Sequence, residues 1–355
     1  MLRLEPRPQP SAALAALAPV AALVLTVLLG AALFAALGRD PLDALRLFFL
    51  EPLRSGYALS ELAVKAVPLA LIALGLAVCF RANVWNIGAE GQFVAGAVCA
   101  GGVALQAGPA TGGWIVLPIL LAAILGGMLW AALVALLRDR FGASEILVSL
   151  MLVYVAIQGL DWLVHGPWKD PQGYNFPQTA GFAAGTRIPR LVAGWRLDLG
   201  APLAVAAAAA VWLLMSRSFA GFRLQVGGVA PDAARYAGFS ARGALWTALL
   251  LSGGLAGLAG GLEAAGPLGQ LTPHLPVGYG FAAIIVAFVG RLHPFGVVAA
   301  ALLMSLLYIG GELAQSRIGL PKSLTGVFQG LLLFALLACD TLLQYRVRRA
   351  RPGAA

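Results

Sequence analysis

The chain is poor in charge. Only 11% of its 355 residues are Asp, Glu, Lys or Arg, against about 25% in an ordinary soluble domain, which excludes a mainly water-facing exterior. Cysteine is scarcer still: Cys79, Cys99 and Cys339 sit in separate apolar stretches, so neither a disulfide framework nor a thiolate metal site is on offer. No Gly-Lys dipeptide occurs anywhere, which removes the phosphate-cradling GxxxxGK[ST] loop and ATP hydrolysis by that machinery. His165, His274 and His293 stand apart and form no HExxH pattern, and Gly238-Phe239-Ser240-Ala241-Arg242 lacks the last glycine of GxSxG. Hydrolase and metal chemistry are therefore unsupported. The expectation is a chain with no catalytic residue, no metal and no cofactor of its own.

What is there is hydrophobic, at 60% of residues. Crossing about 30 Å of hydrocarbon takes roughly 20 apolar residues as a helix, and such segments recur at about 12–37, 60–79, 91–107, 113–137, 144–165, 200–216, 243–265, 277–290, 295–312 and 323–342. The expected fold class is all-α, a polytopic transmembrane helical bundle of about ten spans forming a single domain over residues 1–355. The first run, Ser11 to Leu37, follows a basic stretch as a secretory signal would, but a signal core is only about 7 to 15 residues long; it reads as a first span.

An even count places both termini on one side. If that side is the cytoplasm, inner segments hold fourteen Arg residues and outer segments nine Arg or Lys, the asymmetry expected of a multi-pass inner-membrane protein. The 24 basic residues form no patch interleaved with aromatics, so nucleic acid is not an expected partner. The basic tail Tyr345 to Arg351 is expected at anionic membrane lipid. The only long polar loops, His165 to Gly200 and Arg217 to Arg242, are too short for a second folded domain.

Two segments interrupt the apolar pattern. Phe80-Arg81-Ala82-Asn83-Val84-Trp85-Asn86-Ile87-Gly88-Ala89-Glu90-Gly91-Gln92 places amides, an acid, a base and two glycines between short spans, and a second stretch runs from Gly278-Tyr279-Gly280 to Gly290 and Gly296. Polar groups at membrane depth are costly and mark pathways, and irregular backbone survives there only inside protein or beside a wet cavity. Asn83, Trp85, Asn86, Glu90, Gln92 and Tyr279 are accordingly the candidate pathway residues; the alternative for the first segment is a tight cytoplasmic loop. Arg81 is the nearest sequence partner for Glu90, and Trp85 reads either as a stacking face for a base or sugar or as an interface anchor. Paired interruptions in two halves, about 60–165 and 245–342, point to inverted repeats with broken helices. Gly253 to Gly261 and Gly126-Gly127 read as close helix contacts.

The inner loop 217–242 carries Gly221, Arg223, Gly227, Pro231, Asp232, Ala233, Arg235, Tyr236 and Gly238. Pro231 suits a first helical position, Asp232 the positive helix start, and Gly238 the stop. The short helix is either a docking surface for a cytoplasmic partner or an amphipathic connector.

At this point the chain resembles the permeases of ATP-binding cassette (ABC) importers for nucleosides and simple sugars, related to ribose and branched-chain amino-acid permeases. The resemblance covers nearly the full length and rests on FRANVWNIGAEGQ (80–92), EILVSLMLVY (145–154), GPWKDPQGYNFPQ (166–178), GFRLQVGGVAPDAARYAG (221–238), GLAGGLEAAG (257–266) and 278–296. It implies two inverted repeats, a cytoplasmic ABC ATPase that uses the ATP, a second related permease, and an extracytoplasmic substrate-binding protein. It also makes Gly221 to Gly238 the ATPase-coupling segment. The match leans to the longer nucleoside permease, with ribose or another sugar as the alternative cargo. Val153, where asparagine is common, and Val229-Ala230, where Leu-Asn is usual, depart from the pattern.

Overall fold

A computed structural model of the chain describes residues 2–6, 12–108, 112–192, 194–321 and 323–349. Among the loop charges counted above, Arg7, Lys322 and Arg351 lie outside them. The elements in chain order are β1 (Leu2–Pro6), α1 (Ala12–Ala36), α2 (Pro41–Leu45), α3 (Gly56–Arg81), α4 (Ala89–Gln106), α5 (Val116–Phe141), α6 (Glu145–His165), α7 (Gly200–Arg217), α8 (Phe219–Val229), α9 (Pro231–Tyr236), α10 (Ala241–Glu263), α11 (Tyr279–Val289), α12 (Pro294–Ile318), α13 (Ser323–Gln344) and β2 (Tyr345–Arg349). Apart from the antiparallel pair β1–β2, the regular structure is helical. The basic tail, expected at lipid, runs over residues 345–349 as that second strand.

Among the described residues, six helices are long and apolar enough to cross a membrane: Gly56–Arg81, Gly113–Phe141, Glu145–His165, Gly200–Arg217, Ala241–Leu268 and Pro294–Ile318. The other four expected spans are helical too, and α1 and α13, at 25 and 22 residues, have the length of a span. α4 opens with Glu90 and Gln92. Val20–Ala36 and Ser323–Cys339 are apolar stretches within α1 and α13. α11 has 11 residues, about 16 Å at 1.5 Å per residue, roughly half a bilayer.

The chain divides into two compact units, residues 1–55 with 306–355, and residues 56–305. In the first, α1 and α13 pack together around Phe34, Phe48 and Phe328, with the Phe48 and Phe328 rings stacked at 4.6 Å. Glu51 pairs there with Arg317 at 3.0 Å and with Arg54 at 3.3 Å.

In the second unit α10 is the central helix, in contact with α3, α4 and α5. Its run from Gly253 to Gly261 does what small residues do in membrane bundles, where close backbone approach replaces the hydrophobic driving force. A Cβ on Gly257 would collide with the carbonyl oxygen of Ala123 on α5. α5 stops at Gly142 in the left-handed conformation (φ 63°), whose N–H returns to the Arg138 carbonyl at 3.0 Å, the glycine C-terminal signature.

Candidate functional site

α3 ends in a tight turn. Asn83 adopts φ 54°, a left-handed conformation that asparagine tolerates better than most residues, and the Val84 N–H donates back to the Cys79 carbonyl at 2.9 Å. Residues 84–88 then run without regular structure until α4 begins at Ala89.

Asn86 fixes this stretch. Its Nδ2 donates to Gln92 Oε1 and to Ser252 Oγ, both at 2.9 Å, and its Oδ1 accepts from Gly88 N–H at 3.2 Å and Gln92 Nε2 at 3.1 Å. Asn86 and Gln92 are fully buried, so both amides are spent on holding the segment to itself and to α10. The Ile87 N–H donates to Ser149 Oγ of α6 at 3.3 Å.

Glu90 joins this first break to the second. Its Oε1 accepts from the Gly278 N–H at 2.8 Å and its Oε2 from the Gly280 N–H. These are among the first N–H groups of α11, which an α-helix leaves unpaired, and a carboxylate is favoured at that positive end. The partner expected from the sequence was Arg81; the bonds go instead to backbone nearly two hundred residues away. Gly278 has φ 85° and brings no side chain to cap the helix, and a Cβ on Gly280 would collide with the Glu90 backbone nitrogen. Phe93 meets Tyr279 edge-on at 5.9 Å. Near the other end of α11, Phe288 stacks on Phe80 at 5.2 Å, and Phe80 leans on Trp85 at 5.3 Å. Gly280 and Phe288 are eight residues apart, about 12 Å along the helix. Trp85, 41% exposed, is the accessible aromatic of the group.

The inner loop 217–242, read from the sequence as a coupling segment, folds as two helices. Ser218 caps α8 by accepting from the Gly221 N–H at 3.0 Å, Ala230 breaks the path, and Pro231 opens α9 at its first position. Asp232 lies in the first turn, Arg235 in the last, and Gly238 follows at φ 78°, the start and stop read from the sequence. Ala234 is the buried anchor of α9, while Asp232, Ala233 and Arg235 are exposed. Val229 and Tyr236 project with 86% and 97% of their surface exposed. α8 was not anticipated as a helix, because two adjacent glycines, Gly227 and Gly228, lower helix propensity. Gly228 is there for contact: a Cβ would strike the Arg81 carbonyl oxygen.

Beside α8 and α9 lies a cavity of about 560 Å³ lined by Asn83, Arg223, Gly227, Pro231, Arg235 and Arg242, among others. Asn83, grouped by sequence with the pathway residues, thus shares a cavity with residues of α8 and α9. Asp139 on α5 pairs with Arg242 at 2.7 Å and accepts from Trp246 Nε1 at 3.2 Å, and Arg138 pairs with Glu145 at the start of α6. Arg223 lies over the Phe239 ring at 5.5 Å.

The long loop after α6 packs on the connection between α10 and α11. Thr179 and Leu271 exchange bonds at 3.0 Å, Phe182 N–H donates to Gly269 at 2.8 Å, and Ile188 N–H to Ala265 at 2.9 Å. Two polar partners in these networks escaped the sequence reading. Ser149 and Ser252 are single hydroxyls in apolar helices, a signal too weak to separate from helix packing.

A family model described as branched-chain amino acid transport system / permease component matches residues 58–337. Among curated proteins, the chain is 35% identical to the glucose ABC transporter permease protein TsgB13 of Haloferax volcanii, over 98% of this chain and 93% of that one. It is 32% identical to the guanosine ABC transporter permease protein NupP of Bacillus subtilis, over 76% of this chain and 78% of that one. It is 27% identical to the nucleoside ABC transporter permease protein NupB of Lactococcus lactis, over 90% of this chain and 89% of that one. No solved structure matches the chain.

Proposed function

Because the chain belongs to the permease component family of the branched-chain amino acid transport system, we propose that it is the membrane-spanning subunit of an ABC importer that carries nucleosides across the plasma membrane. The observation that carries this reading is the α8–α9 segment, which exposes Tyr236 and Val229 outward while Gly228 lies flush on the backbone of Arg81. A docking surface is thereby in contact with a break in a membrane helix. Force applied to α9 by a separate cytoplasmic ATPase reaches the segment that starts at Ala82.

In this reading ten spans form two inverted repeats, about 60–165 and 245–342, within one permease domain with both termini in the cytoplasm. The order of elements supports it: α3 ends and α10 begins beside the same cavity, so the two helices run in opposite senses through the unit. A second related permease and an extracytoplasmic binding protein complete the importer. The chain needs no cofactor, since ATP is consumed on its partner. Trp85, Asn86, Glu90, Gln92 and Tyr279 build the wall of the pathway, Asn86, Glu90 and Gln92 by holding its backbone and Trp85 by offering its exposed ring as a stacking face, while Asn83 borders the pathway on the side of the α8–α9 cavity.

The nucleoside reading draws on the printed functions of the guanosine and nucleoside permeases. A sugar is the second reading, favoured by the glucose permease that covers 98% of this chain. Uptake of labelled purine nucleosides, pyrimidine nucleosides, ribose and glucose by cells with and without the gene separates them. Gene-dependent nucleoside uptake competed by other nucleosides supports the first; dependence of glucose or ribose uptake alone replaces it with the second.

A further inference from the structure

Glu90 is closed off from a solute in this structure. It is 1% exposed, and each carboxylate oxygen accepts a backbone N–H at the start of α11. Gly278 cannot supply a side-chain cap of its own, so the end of this short helix is held from α4.

Residues 81–90, which end at this carboxylate, are gripped at their other end too. Gly228 of α8 sits against Arg81 and Ala82, and Phe80 stacks on Phe288. The chain between, residues 84–88, lacks regular structure but is braced by the paired Asn86 and Gln92 amides, which tie it to the first turn of α4. Displacement of α8–α9 therefore passes through Arg81 to Glu90 and into α11 at two points, Phe288 and Gly278. Asn86, bonded to Ser252 of α10, keeps the stretch from swinging sideways.

We infer that Glu90 is a positioning residue of the transport cycle: it latches the first turn of α11 to residues 81–90, so that the α8–α9 segment moves this half-helix, and it does not contact the cargo. This rests on the importer reading above and adds to it the element that moves and the residue that moves it.

The test uses the complete complex, this chain with its ATPase and second permease, in proteoliposomes supplied with binding protein. KM for whichever solute the native complex takes up, maximal uptake rate and ATP hydrolysed per solute are measured for Glu90→Ala, Glu90→Gln and Gly228→Ala. The latch predicts that Glu90→Ala leaves KM within twofold and raises ATP per solute at least tenfold, with Glu90→Gln, which keeps one acceptor oxygen, in between. Gly228→Ala reproduces the uncoupling from the opposite end. A tenfold rise in KM at unchanged ATP per solute would make Glu90 a cargo ligand and overturn the inference.

Should Glu90→Ala not assemble, Glu90→Gln, of nearly equal volume, decides the same comparison. A second readout needs no solute. A cysteine at Phe281, an exposed position of α11, in a chain whose own cysteines are replaced by alanine, should change its thiol-labelling rate at least threefold when ATP is added. Glu90→Ala should abolish that change and Glu90→Gln should at least halve it, while ATP hydrolysis continues. A change that persists in full overturns the latch, whereas absence of nucleoside and sugar uptake by the native complex would instead fault the cargo reading.

Discussion

Replacing Asn86 by alanine removes four hydrogen bonds at once: two to Gln92 and one each to Ser252 and the Gly88 N–H, between 2.9 and 3.2 Å. At about 1 kcal/mol net per bond, the sum is about 4 kcal/mol. The average of about 0.6 kcal/mol measured for side-chain bonds in a membrane bundle gives about 2.4 kcal/mol instead. The expected loss therefore lies between those values, roughly a 50- to 700-fold fall in the folded-to-unfolded ratio at 1.4 kcal/mol per decade. The assay is reversible unfolding of the purified chain in mixed micelles under a graded denaturing detergent, comparing Asn86→Ala, Gln92→Ala and the double variant. Because the two amides share bonds, the double variant should cost clearly less than the sum of the singles. A loss below about 0.5 kcal/mol for Asn86→Ala, the scale of an ordinary surface change, or strict additivity of the two changes, would refute the network as the clamp on this segment.

Three further outcomes follow from the packing and charge. Gly257→Val must push a side chain into the Ala123 carbonyl and should cost about 1–3 kcal/mol or more as overpacking, seen as lost monodisperse protein, while Gly227→Ala, with no neighbour within 4 Å, should be tolerated. Tyr236→Asp, at a fully solvated position of α9, should move thermal stability by no more than about 0.5 kcal/mol yet abolish copurification with the ATPase. Burial holds the Asp198 carboxyl, in the loop before α7, above its ordinary pKa, against the opposing bond from the Gly200 N–H. Its charged form is thus penalised in the folded state, and the contribution it makes at low pH is lost as pH rises through that raised value. Asp198→Asn, which keeps an acceptor for Gly200, should be more stable than the native chain at pH 7, and the difference should vanish as pH falls into the usual carboxylate range.

The features that could be read from sequence were local. Pro231 and Gly238 bracket α9 because the start and stop of a helix are written in single residues. The glycines of α10 announce close packing for the same reason, and the break after Arg81 is visible because amides and a carboxylate interrupt an apolar run. What escaped was non-local or degenerate. Glu90 is bonded to Gly278 across 188 residues, and nothing near it in sequence names that partner; Arg81 was the nearest charge and makes no bond to it. The run 277–290 has the hydropathy of a span, yet Gly278 begins a helix of 11 residues, since composition does not register where a helix starts. Asn83 and Asn86 are neighbours along the chain, but a left-handed turn at Asn83 sends one to the cavity beside α8 and α9 and the other into the buried network.

The claim that this chain is a permease driven by a separate ATPase is tested most directly in proteoliposomes holding the assembled complex and binding protein. Nucleoside accumulation is followed with ATP, with a non-hydrolysable ATP analogue, and with ATP plus ionophores that collapse every ion gradient. Uptake that requires hydrolysable ATP and survives the ionophores is the predicted result. Uptake that proceeds without ATP and stops when the gradients collapse would identify a secondary transporter and contradict it.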